Sequence, residues 1–123
     1  MTTPHDKMTR RIAELVEKYR QGAIRHGRAS DKGLSGRVIN RGYYQLARAL
    51  KDLRELDPDW HRAMLPLLVD EDCHVRLWAA TDLHEVEPER TRAVMEDIAA
   101  NASSTSARFE AKGMLEKWDG KWP

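Results

Sequence analysis

Apolar residues along the chain recur at spacings of three and four, and no stretch alternates apolar and polar residues as a half-buried strand would. The pattern predicts an all-α protein of about six helices. Met8, Ile12, Leu15, Val16, Tyr19 and Ala23 make a first stripe, with Arg10, Arg11, Lys18 and Arg25 mostly outside it. Thr3 is a candidate cap and Pro4 suits a first turn, so this helix is expected from Pro4 or His5 to about His26. The next stretch, RHGRASDKGLSG, mixes glycine, serine and aspartate and reads as a loop. A second helix is expected to start between Leu34 and Arg37 and to end at Leu56, before Asp57-Pro58. Tyr43, Leu46, Leu50 and Leu53 form its seam, with Ala47 and Ala49 beside it. Gly42 weakens this helix by about 1 kcal/mol relative to alanine unless a neighbouring helix presses close there. The two helices are expected to pair antiparallel.

Downstream the breaks come more often. Pro58 suits the first turn of a short third helix facing Trp60, Ala63, Met64, Leu67 and Leu68 inward, and Pro66 should bend or shorten it. The turn VDED offers Asp70 or Asp72 as the cap of a fourth helix, whose inner face is Val75, Trp78, Ala79, Leu83 and Val86. Glu87-Pro88-Glu89 opens a fifth helix with acids at its positive end, carrying Val94, Met95 and Ile98. The loop NASSTS can cap a sixth, which carries Ala107, Ala111, Met114, Leu115 and Trp118. The last residues, DGKWP, are expected to fray. At 123 residues there is chain for one core, so 1–123 is expected as one domain. It divides into a helical pair over 1–56, two hairpins over 57–118 and a tail over 119–123.

The two hairpins echo one another. A shift of 32 residues lays Val75-Arg76-Leu77 over Ala107-Arg108-Phe109, Ala79 over Ala111 and Leu83 over Leu115. A hairpin that cannot bury its own apolar face gains a continuous core by stacking on another. The segment LLVDEDCHVRLWAATDL resembles a HEAT-type repeat, with two leucines, a turn aspartate, then Val-Arg and small residues on the second helix. That resemblance implies a short right-handed solenoid, in which Asp70, Arg76 and Arg108 stitch adjacent repeats together. In the second copy the turn is longer and Asn101 falls near the aspartate's place. Over the whole chain, the basic helical pair, RLWAATDL, the EPER turn and FEAKGML resemble a group of small uncharacterised bacterial proteins. This resemblance implies a compact HEAT-like fold without a known reaction, and some small bacterial proteins of that kind are immunity partners of toxins.

Net charge is only +1, but it is unevenly spread. Residues 1–56 hold 13 Lys/Arg and 6 Asp/Glu, a balance of +7, whereas residues 57–123 hold 8 and 14, a balance of −6. Either the halves neutralise one another, or one face offers an electrostatic dock. The basic window 20–48 contains Arg25, Arg28, Arg37 and Arg41, with Tyr44 nearby and Asp31 as its one acid. These residues, with Trp122 as a further anchor, are the candidate partner-binding set. The expected partner is another protein, a toxin in the most concrete case. The alternative is nucleic acid, gripped by the same cations and stacked on the tyrosines.

No chemistry is announced. His74, His84 and Cys73 are spaced too widely around a helix to converge on a metal, so no metal is expected. Asp70, Glu71 and Asp72 lack the glycine and downstream glutamate of an EF-hand loop and read as caps, with a partner in Arg76. Trp60, Trp78 and Trp118 fall on inner stripes. Neither a Gly-rich phosphate loop after a strand, G-x-S-x-G nor H-E-x-x-H occurs, so neither enzyme activity nor a cofactor is expected. With one cysteine, no membrane-spanning run and a polar start, the expected setting is the cytoplasm.

Overall fold

A computed structural model describes residues 3–121, and among these it holds six α-helices and no strand. Helix α1 spans Pro4–Asp31, opened by a capping box in which Thr3 and Asp6 exchange hydrogen bonds. It runs five residues beyond the expected end at His26, through what the sequence marked as loop. Gly27 does not break the helix; it sits where the His74 ring packs against the backbone, leaving no room for a Cβ. The real stop is Gly33, in the left-handed region at φ 64°, where Leu34 N–H reaches Ala29 O and Gly33 N–H reaches Ser30 O.

Helix α2 spans Gly36–Leu56 and packs along α1. The crossing is built on Gly22 and Gly42. A Cβ added at Gly22 would lie 2.7 Å from Leu46 N and 2.8 Å from Gly42 O, and one added at Gly42 would strike the His26 backbone. The close neighbour that would excuse Gly42 in mid-helix is therefore present. The buried seam is Leu46, Ala49, Leu50 and Leu53, facing Leu15, Tyr19 and Ala23. Tyr43 lies outside it. Its ring is exposed and leans on Trp78, 5.5 Å away.

The rest of the chain wraps α1 from its other side. Helix α3, Trp60–Met64, tightens into a 3₁₀ turn over Leu65–Val69 where Pro66 has no amide to donate. Helix α4, Cys73–Leu83, is capped by Asp72, which accepts from the amides of His74 and Val75 at 2.8 and 3.1 Å. Helix α5 spans Pro88–Asn101. Helix α6 spans Thr105–Trp118 and is capped by Ser104 on Ala107 N–H at 3.1 Å. Both α4 and α6 touch α1 as well as each other. Met64, Leu68, Val75, Leu83, Met95 and Ile98 are fully buried and complete one core. Met8 and Val86, expected on inner faces, are exposed near element ends. Trp60, Trp78 and Trp118 lie at the edge of the core, half-buried.

The residues expected to fray are held as far as Lys121. Arg92 clasps the Asp119 carboxylate at 2.8 and 3.0 Å, and Gly120, at φ 71°, lets Lys121 N–H reach Glu116 O. Trp122 lies outside the described residues. No described helix is long and apolar enough to cross a membrane.

Candidate functional site

The basic window folds onto the joint between the end of α1 and the start of α2. Arg25, Arg28 and Lys32 come from the last turns of α1, and Arg41 comes from α2. They ring a notch of about 200 Å³ floored by Ala29, Leu34 and Val38. Leu34 and Val38 are exposed, although both are apolar. None of these four cations, nor Arg37 or Arg48, makes an ion pair among the described residues; Arg25 bonds only the neutral amide of Gln45, at 2.7 Å. The window's one acid, Asp31, is engaged elsewhere. Arg37 and Tyr44 are exposed on α2 but do not line the notch. Leu34 and Val38 went unmarked in the sequence because both fell within a presumed loop and helix start. The signal was there, since an apolar residue directly after a helix-stopping glycine is ordinary capping chemistry.

A second cluster forms where the end of α1 meets the starts of α4 and α6. Asp31 accepts from Ser104 Oγ at 2.5 Å, from Ser106 Oγ at 2.7 Å and from His74 Nε2 at 3.1 Å. Partial burial pushes the Asp31 carboxyl up, but the bonds from Ser104, Ser106 and His74 together outweigh it and hold the carboxyl below its ordinary value. An open groove of about 1050 Å³ passes over the cluster, bordered by Glu71, Cys73, Arg76, Thr105 and Phe109. Serine, histidine and aspartate are the residue types of a nucleophile, base and orienter, but the wiring differs. Nε2 faces both Asp31 and Ser104 Oγ, the latter at 3.2 Å, while Nδ1 is buried without a partner. Ser104 already gives its proton to Asp31 and its lone pair to the α6 cap. The cluster fastens three helix ends together. Nearby, burial and then Asp72 raise the Cys73 thiol, which disfavours a reactive thiolate. No sequence signal joins residues 31, 74 and 104, because only the fold brings them within bonding distance.

The third set, Asp70, Arg76 and Arg108, is wired differently from the stitching that the resemblance implies. Asp70 is gripped by Arg20 of α1, Nε to Oδ1 at 2.7 Å. Arg76 instead donates to the carbonyls of Asp70 and Glu71, at 2.6 and 3.1 Å, closing its own turn. Arg108 does the same to Ala102 O at 2.6 Å. The separation from arginine to carbonyl is 6 in both turns, and the caps Asp72 and Ser104 are also 32 residues apart. Each arginine thus serves its own turn, and the two turns match in cap and clasp, while the helices that lead into them differ, Trp60–Met64 with its 3₁₀ turn in one and Pro88–Asn101 in the other. The histidines and Cys73 do not gather: among the described residues no group of three potential ligands could hold a metal ion. His84 stacks flat on Trp118, 3.6 Å between centroids, with Nδ1 2.9 Å from Thr91 Oγ.

A family model described as a domain of unknown function, DUF2019, matches residues 13–119. The chain belongs to this family. The DUF2019 match starts inside α1 and ends just past α6, so it takes in the basic notch, the fastened helix ends and both hairpins. Nothing among curated proteins matches the chain, and nothing among solved structures does.

Proposed function

We propose that this DUF2019 domain is a protein-binding module without chemistry of its own, which docks an acidic partner on the basic notch between α1 and α2. One observation carries the reading: Leu34 and Val38 are exposed inside a ring of Arg25, Arg28, Lys32 and Arg41 that has no carboxylate opposite it among the described residues. An apolar floor within a ring of like charge suits a partner that inserts an apolar side chain and brings acids around it. Charge would steer the encounter, and the floor would supply the part of the affinity that salt does not remove. Arg37 and Tyr44 extend the same surface along α2. The HEAT-like reading of the two hairpins belongs to this proposal, supported by the 32-residue register of their caps and arginine clasps. Neutralising a toxin is its most concrete form, resting on that likeness.

Nucleic acid is the second reading, favoured by Arg41, Tyr44 and Arg48 lying along one exposed side of α2, with Tyr44 64% exposed. The two readings part on the apolar floor. Tagged protein would be incubated with lysate of its source, with and without nuclease, at low and high salt, beside the exposed-site variants Val38→Asp and Arg28→Glu/Arg41→Glu. One protein retained in stoichiometric amount at high salt, and lost with either variant, is the expected result. Material retained only at low salt and without nuclease, and retained by Val38→Asp, would overturn the proposal in favour of nucleic acid.

A further inference from the structure

Helix α1 packs against both α2 and α4, but α2 and α4 scarcely touch each other, and the space between them is a cleft of about 460 Å³. Its floor is apolar, made by the buried Leu46 and Leu50. At one end Tyr43 leans on Trp78, with 5.5 Å between ring centroids; at the other Arg54 is drawn over the Trp60 ring, 4.4 Å from its centre. The charges divide by wall. Lys51 and Arg54 stand on α2, and neither makes an ion pair among the described residues. Asp82 stands on α4 opposite them. Its Oδ2 takes the Tyr19 hydroxyl, whereas Oδ1 has no partner among the described residues and is not enclosed. Burial opposes the Asp82 charge, and Tyr19 and Arg54 relieve it only in part. What this carboxylate lacks is a cation in contact with it.

We infer that this cleft binds a free α-amino acid with a large apolar side chain, aromatic for preference, whose ammonium group meets Asp82 and whose carboxylate meets Lys51 and Arg54. The separation of the walls is bounded from both sides. Asp82 and Arg54 are too far apart for an ion pair, yet close enough for the guanidinium charge to act on the carboxyl, and one ammonium–carboxylate pair spans such a gap. The order of charges selects against simpler ligands. A carboxylic acid without an amine would set a like charge before Asp82, and an amine without a carboxylate would leave both cations unpaired; the zwitterion answers both walls. Its side chain then lies along Leu46 and Leu50 toward Tyr43 and Trp78, where a ring gains edge and face contacts with two others. The volume sits toward the small end of the range for ligand sites, which suits one amino acid better than a larger molecule. The exposed Glu55 balances the lining charges, so an acidic protein face of the kind that fits the basic notch finds opposition here. The two sites share α2 but no residue.

Titration calorimetry of the full chain with L-phenylalanine tests this, beside hydrocinnamate, which lacks the amine, and phenethylamine, which lacks the carboxylate. Nuclear magnetic resonance on isotope-labelled protein locates the site, because the Trp78 indole N–H at the cleft wall is buried without a hydrogen-bond partner and its signal reports on what enters beside it. The expected result is a dissociation constant of about 0.1–1 mM for L-phenylalanine, with a shift of the Trp78 indole signal. Either analogue is expected to bind about tenfold more weakly or worse. Asp82→Asn keeps an acceptor for Tyr19 and should bring L-phenylalanine down to the level of hydrocinnamate, while hydrocinnamate itself loses nothing. Lys51→Gln, at an exposed position, should weaken L-phenylalanine about two- to fivefold. No binding of L-phenylalanine up to about 10 mM overturns the inference. So does a hydrocinnamate that binds as tightly as L-phenylalanine, or an Asp82→Asn variant that binds L-phenylalanine as the wild type does.

Discussion

Asp82 shows how one side chain sets a condition on the fold. It sits half-buried on α4 and accepts a 2.5 Å hydrogen bond from the fully buried Tyr19 hydroxyl. Burial raises its carboxyl above the ordinary 3.8, while Tyr19 and Arg54 pull it back only in part. A carboxyl that binds its proton more tightly in the folded chain than in the unfolded one favours folding at low pH. That contribution is lost as the pH climbs from 3.8 through the folded value. Asp82→Asn still accepts from Tyr19 and has no charge to bury. It is expected to flatten the stability profile just above pH 3.8 and to equal or exceed wild type at neutral pH, which urea unfolding over a pH series measures. Sequence could not reveal this pair, because 63 residues separate Tyr19 from Asp82. The arginines of the two turns are a milder case: their equivalence was legible from spacing, but not that each would clasp a carbonyl in its own turn.

Among the elements, the α1–α2 crossing is the most sharply specified. Alanine in place of a glycine inside an exposed helix ordinarily stabilises by about 1 kcal/mol. At Gly42 the sign should reverse, because a Cβ there meets the backbone of His26 and Gly22, atoms that cannot rotate aside. Gly42→Ala is expected to cost about 1–3 kcal/mol, the usual range for overpacking. Gly36→Ala at the start of the same helix meets nothing within 4 Å and should be neutral or slightly stabilising. Paired denaturant titrations of the two variants check this, and equal effects would mean the helices do not touch at that crossing. Helix positions and most caps were readable from periodicity and turn chemistry. The end of α1 was misread because Gly27 is a packing glycine and Gly33 a stopping glycine, and composition alone treats both as breaks.

At the scale of the whole molecule, three polar joints bind the basic N-terminal half to the acidic C-terminal half. Tyr19 with Asp82 is one; the others are Arg20 with Asp70, and Asp31 with His74, Ser104 and Ser106. Both Arg20 and Asp70 are largely covered, at 24% and 12% side-chain exposure, so removing one partner leaves the other poorly solvated. Arg20→Met is expected to destabilise by about 1–3 kcal/mol, and adding Asp70→Asn should recover part of that loss. A double-mutant cycle in urea measures the coupling, and strictly additive losses would show that the joint contributes nothing between the halves. These joints use only part of the charge asymmetry. Arg25, Arg28, Lys32 and Arg41 remain without ion pairs among the described residues, which is why the functional proposal rests on them.

By itself the sequence determined the helical class, nearly all helix positions, the cap at Thr3, and the 32-residue register of the hairpins, and it narrowed the cap of α4 to Asp70 or Asp72. These follow from short-range rules: apolar spacing matches the helical turn, and capping depends on neighbours three or four residues away. Only the tertiary structure decided which charges are consumed and which stay free. Asp31 is drawn to Ser104 and Ser106, 73 and 75 residues away, and so leaves the basic notch without its acid. The same holds for exposed apolar residues, since Leu34 and Phe109 differ from buried residues of like type only in what the fold sets against them. Coverage by a distant element is a property of packing, and no local pattern encodes it.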